Sequence, residues 1–220
     1  MAESTVEDCP RPLPALVDAA IIGFVLAFPH WVPMPFYSYA VVCIAVVLFS
    51  LRRRRTKLAD LGLKKSNLRP ATFLIGISTG VLWLALMQWG YIPIVRAIHP
   101  HQEYTDYDFI RKSWQTLAAI IAASWVVGGL YEEIVFRGFI LSILRRWLGR
   151  LWLAGFLTSL LFGLYHIQQG AYGIVAAFLG SLYWTALYRK SGDNLWAVVV
   201  SHATYDTAAL ILIYFNRFGK

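Results

Sequence analysis

Charge is scarce in this chain. Lys, Arg, Asp and Glu make up 15% of its 220 residues, where a soluble domain carries about 25%, and that shortage excludes a soluble globular domain of ordinary surface. Cysteine is scarcer still. Cys9 sits in a polar N-terminal stretch and Cys43 in an apolar run, so no disulfide framework is expected. Ahead of the first apolar run stand Glu3, Glu7 and Asp8, followed by Pro10 and Pro12, in place of a basic n-region. That excludes a standard cleavable signal peptide, so the first apolar run is expected to be a retained anchor. Acidic residues are the rarer sign, 12 against 20 basic ones, for a net charge of +8. The basic excess is clustered as Arg52-Arg53-Arg54-Arg55 with Lys57, Lys64-Lys65 with Arg69, Arg145-Arg146 with Arg150, and Arg189-Lys190. Each cluster lies between apolar runs, which reads as a topology determinant that also touches anionic lipid, and not as a nucleic-acid surface.

What the chain has instead is apolar length, with 58% hydrophobic residues. The expected fold is all-α, a polytopic transmembrane helical bundle of about seven spans near 16–31, 37–51, 71–95, 114–144, 151–167, 171–188 and 195–215. We divide it into residues 1–110, holding N-terminal spans and an interfacial segment, and 111–220, the core, within one integral membrane domain. Residues 56–69 are basic, with Leu58, Leu61 and Leu63, and are expected on the membrane surface. Gly76-x-x-x-Gly80 predicts close packing against a neighbour in the same chain. The polar stretch 96–112 reads as a non-cytoplasmic loop, and His99-Pro100-His101 within it as solvated in preference to a metal site. Placing every basic cluster on one side makes the N-terminus cytoplasmic and the C-terminus external, with Arg217 and Lys220 as the exception. The run 114–144 exceeds a bilayer at about 1.5 Å per residue, so it must tilt or break, with Gly128-Gly129 as the expected flex point.

Within that run, Glu132 and Glu133 stand beside each other with Arg137 close behind, and two later spans carry His166 and His202. Charges inside a span are costly and face a bundle interior or cavity. Arg145 follows Glu132 by 13 residues, His166 follows Arg150 by 16, and His202 follows Lys190 by 12. On helices these separations are about 20, 24 and 18 Å from the basic side, so three spans bring polar groups to one level. Glu133 and Arg137 are spaced i,i+4 with the acid first, the favourable order for an ion pair. Glu132 points about 100° away and is left for chemistry as a general base. Phe162 and His166 share a face, as do His202 and Asp206, where the carboxylate can orient the ring. The bland alternative for either histidine is a hydrogen-bonded core group.

At these residues the chain resembles the CAAX-protease and bacteriocin-processing family of intramembrane proteases, whose pattern is E-E-x-x-x-R, then F-x-x-x-H, then H-x-x-x-N or D. All three motifs are present in order within about the last 90 residues. The resemblance implies that Glu132 activates the hydrolytic water with help from His166, that His202 and Asp206 stabilise the oxyanion, and that Glu133 with Arg137 supports the site. Asp206 stands where the prenyl-processing branch usually has asparagine, so His202 is the better oxyanion donor of the two. Glu132, His166 and His202 also match the ligand set of a hydrolytic zinc site. The resemblance fits a metal-free, glutamate-activated water equally well, and no tightly bound metal is the favoured expectation.

The leading expectation is an intramembrane endopeptidase acting on a peptide or lipidated protein near the cytoplasmic face of a bacterial inner membrane, with membrane lipids as its other partners and no nucleic acid. A second reading is a non-proteolytic binding or bacteriocin self-immunity protein on the same fold, for which the costly Glu/His/His set has little use. A third is a proton-coupled transporter, against which stands the lack of an evident inverted repeat.

Overall fold

The computed structural model describes residues 12–32, 34, 37–99 and 107–219. Cys9, the acidic N-terminal stretch, Pro100 and His101 of the loop motif, and Lys220 lie outside the described residues. Among the described residues, seven helices longer than two turns follow one another: α1 (Ala15–Trp31), α2 (Tyr39–Arg53), α3 (Pro70–Ile98), α4 (Trp114–Leu148), α5 (Leu151–Tyr165), α6 (Ile167–Lys190) and α7 (Leu195–Tyr214). The described residues contain no strand. The helices α3, α4, α6 and α7 are long and apolar enough to cross a membrane, while α1 and α5 are apolar but shorter. With four such helices the chain is an integral membrane protein.

Local chemistry sets the helix ends. Pro70 opens α3 at its first turn, where its missing N–H costs nothing. Ser113 caps α4 by accepting from the Thr116 N–H at 3.1 Å, and Asn194 caps α7 by accepting from the Trp196 N–H at 3.1 Å. Gly149, at φ +64°, ends α4 in the left-handed turn that reverses the chain into α5.

The helix α7 sits at the centre, with Leu195, Ala197, Val198 and Ala203 fully buried. Small residues let its neighbours close on it. A Cβ on Gly76 would lie 2.6 Å from Val200, and one on Gly80 would lie 2.4 Å from the Ser201 carbonyl, so the G-x-x-x-G stripe of α3 packs within the chain as expected.

Two expectations gain detail. Of the two expected ways to fit the long run, tilt or break, α4 takes no break: it runs continuously for 35 residues and winds into wider π turns over Trp125–Glu132, which include Gly128 and Gly129, and over Ile134–Ile140. Its glycines serve close approach instead, since a Cβ on Gly129 would lie 3.0 Å from the Ala203 Cβ. The segment 56–69 is also more than a surface strip. Leu61 is buried and lies against Gly138, the Tyr188 hydroxyl donates to its carbonyl at 3.1 Å, and the Leu195 N–H donates to the Gly62 carbonyl at 3.3 Å. At φ +98°, with Asp193 O only 2.1 Å from where a Cβ would be, position 62 admits only glycine. This turn closes the basic end of the bundle.

Candidate active site

The charged part of the site is built on α4 and α7. Glu133 and Arg137, both fully buried, pair at 3.0 Å across one turn. The same Glu133 Oε1 accepts a hydrogen bond from His202 Nδ1 at 2.7 Å. One carboxylate oxygen therefore fixes a guanidinium on its own helix and an imidazole on the neighbouring one. Arg137 Nε and Nη2 have no hydrogen-bond partner among the described residues, and the guanidinium lies 4.7 Å over the Phe162 ring, which offers its π face to the buried cation. Phe162 thereby links the positive charge to both histidines, with ring centroids 4.6 Å from His166 and 6.1 Å from His202.

His166 is placed by a helix end. It follows the last residue of α5, where terminal carbonyls lack helical partners, and its Nδ1 donates to the Phe162 carbonyl at 2.9 Å. That is the physical meaning of the F-x-x-x-H spacing. Because a carbonyl only accepts, the proton sits on Nδ1 and the neutral ring keeps a lone pair on Nε2. His202 likewise gives its Nδ1–H to Glu133, leaving Nε2 3.8 Å from Asp206 Oδ1. Trp184 stacks on His202 with centroids 3.8 Å apart, its own N–H held by Ser201 Oγ at 3.2 Å.

These groups open onto one cavity of about 450 Å³, lined by Glu132, Phe162, His166, Trp184, His202 and Asp206 at one end. Gly128 lets α4 reach Asp206, for a Cβ there would lie 2.5 Å from its Oδ2. The sequence-predicted residues thus separate into two groups. Glu132, Phe162, His166, His202 and Asp206 line the cavity, while Glu133 and Arg137 are buried behind it. No three His, Cys, Asp or Glu side chains among the described residues stand together as ligands for one metal ion.

Sequence reasoning missed several residues. Trp184 carries no signal that separates it from other span aromatics. Gln88 is buried in the π turn Met87–Tyr91 of α3, donates to the Arg217 carbonyl at 3.1 Å and accepts from the Gly219 N–H at 2.7 Å. It holds the segment after α7 beside the cavity, where Phe218 forms part of the wall. Asp18 is fully buried between Arg54 and Arg146.

No curated protein and no solved structure matches the chain. The stretch that carries all three motifs does find a family: residues 114–208 match the family model described as type II CAAX prenyl endopeptidase, Rce1-like.

Proposed function

We propose that the chain is an intramembrane endopeptidase whose catalytic core is 111–220, hydrolysing a peptide bond with side-chain-activated water. The observation that carries this reading is the convergence of Glu132, His166, His202 and Asp206 on one cavity, with both histidines held through Nδ1. The match of residues 114–208 to a CAAX endopeptidase family supports it. We assign the seven helices to seven crossing segments of a bacterial inner membrane.

In this reading Glu132 takes a proton from water while the Nε2 lone pair of His166 orients it, and the hydroxide adds to the scissile carbonyl carbon. The oxyanion meets Nε2–H of His202, which offers that proton when the ring carries two, with Glu133 and Asp206 as its counter-charges. Collapse of the tetrahedral intermediate breaks the C–N bond, and Glu132 returns its proton to the leaving amine. Glu133 and Arg137 are positioning residues, and Trp184 fixes the plane of His202. This reading routes no step through zinc. Purified protein is accordingly expected to hold no stoichiometric zinc and to keep its activity after chelation, which metal analysis and a chelator series check.

The test compares new protein termini in membranes carrying the wild-type chain or Glu132→Gln at matched abundance. Termini that depend on Glu132 are expected. Their absence, with both proteins folded, sinks the hydrolytic reading and favours a binding or immunity role for the same cavity.

A further inference from the structure

The side from which substrate reaches Glu132 can be read from the shape of the cavity. Its lining lies on the helix halves remote from the basic clusters: Met87 and Tyr91 on α3, Ser124 on α4, Tyr172 on α6, Ala209 and Ile213 on α7. Trp184, Glu132 and His202 are at the floor, and the exposed turn Gln168–Gly170 between α5 and α6 is at the rim. Towards the basic end there is no continuation. Below Glu132, α4 fills the bundle with Phe136, Phe139, Ile140 and Ile143, each at most 1% exposed, and the Leu61-Gly62 turn closes what lies beneath. A second seal at that end is the buried Asp18 with Arg54 and Arg146.

By the positive-inside rule the closed end reads as the cytoplasmic one. It carries the four arginines at 52–55, Lys64-Lys65, Arg145-Arg146 and Arg189-Lys190, whereas the segments on the other side hold Arg96, Arg111, Lys112, Arg217 and Lys220 with acidic residues among them. On that assignment the site opens away from the cytoplasmic face, opposite to the expectation from sequence. The cavity chemistry adds a second constraint. Among its described lining residues there is no Lys or Arg, and there are two carboxylates, Glu132 and Asp206. No Lys or Arg there pairs with a terminal carboxylate close to the scissile bond, and Glu132 and Asp206 repel a like charge within a low-dielectric site.

We infer that the site takes a translocated peptide, an internal uncharged or basic stretch presented on the non-cytoplasmic side, and not the free carboxyl end of a cytoplasmic lipidated protein. This rests on the hydrolytic reading of the same cavity for the substrate class, and on topology alone for the side. Sidedness is tested with a Cys9→Ser, Cys43→Ala background carrying either Gln168→Cys at the rim or Ser66→Cys in the basic turn. Each is exposed to a membrane-impermeant maleimide in right-side-out and inside-out vesicles of a bacterial host. Gln168→Cys is expected to label only right-side-out and Ser66→Cys only inside-out; labelling of Gln168→Cys from the cytoplasmic face overturns the inference. Among Glu132-dependent termini, cuts in translocated segments are expected. Cuts in cytoplasmic segments overturn the inference while leaving hydrolysis standing, and no cuts at all remove hydrolysis and the substrate class with it. A peptide cut within three residues of its end is expected to react faster as the amide than as the free acid, and the opposite preference would overturn the charge argument.

Discussion

Two buried ionic clusters share α4, and they differ in what they leave unpaired. Near its basic end a single carboxylate, Asp18, accepts from two guanidinium groups, Arg54 and Arg146, none of which lines the cavity that holds Glu132. Midway along the helix the ratio is reversed. Arg137 is the lone guanidinium for Glu132, Glu133 and Asp206, and two imidazoles complete the set. The first cluster spends its acid entirely on tying α1 to the ends of α2 and α4. The second commits Glu133 to Arg137 and His202 and turns the other two carboxylates towards open volume. Burial of charge is common to both, so burial alone does not mark a site. A carboxylate at a cavity, left over after the structural pairing is complete, is what separates chemistry from scaffolding.

Exchanging the acids tests that distinction most severely. Glu132→Gln is expected to lower kcat/KM by about 10²–10⁴ with unchanged thermal stability, the range for losing a general base. Asp18→Asn is expected to do the reverse. It leaves Arg54 buried without its partner, which costs about 3–5 kcal/mol of stability, while activity per folded molecule stays at the wild-type level. Thermal unfolding in detergent beside a cleavage assay reads both. A stable, inactive Asp18→Asn protein would erase the contrast. Gly128→Ala comes next, because a methyl group there must displace the Asp206 carboxylate. Cleavage is expected to fall by up to about 10²-fold from misplacing a reacting group, with a smaller loss of stability of about 1–3 kcal/mol from overpacking.

How far these clusters could be read in advance depended on sequence distance. The Glu133–Arg137 pair follows from i,i+4 spacing, and F-x-x-x-H from the same one-turn geometry. The bond from Glu133 to His202 spans 69 residues, and only the packing of α4 on α7 brings it about. Asp18 escaped notice because a lone acid near the start of an apolar run looks like a helix flank, and its partners are 36 and 128 residues away. The contact role of Gly128-Gly129 was hidden for a different reason: glycine as a flex point and glycine as a contact surface look alike until the neighbouring helix is placed. The segment 56–69 was expected on the membrane surface, and its sequence carried no sign that Leu61 also packs against Gly138, since apolar periodicity cannot tell lipid from protein. The helical class and the motif order were legible because each rests on local chemistry alone.

The smallest effect is expected where the structural cluster meets solvent. Arg146 and Arg54 both reach Asp18, yet the Arg146 side chain is 41% exposed and that of Arg54 only 5%. An exposed partner gains little from its ion pair, about 0–1 kcal/mol, because water screens the charge and the long side chain loses entropy in holding one geometry. Arg54 also donates to Ser50 Oγ at 3.0 Å and lies 5.5 Å from the Phe139 ring centroid, so it has been taken out of water on several sides. Arg146→Ala should therefore shift thermal stability only slightly, with Asp18 still paired, whereas Arg54→Ala should approach the cost of Asp18→Asn. Equal losses from the two arginines would mean that both guanidinium groups are needed to hold Asp18. Neither substitution should alter kcat/KM, because the pair lies at the sealed end, with the buried length of α4 between it and Glu132.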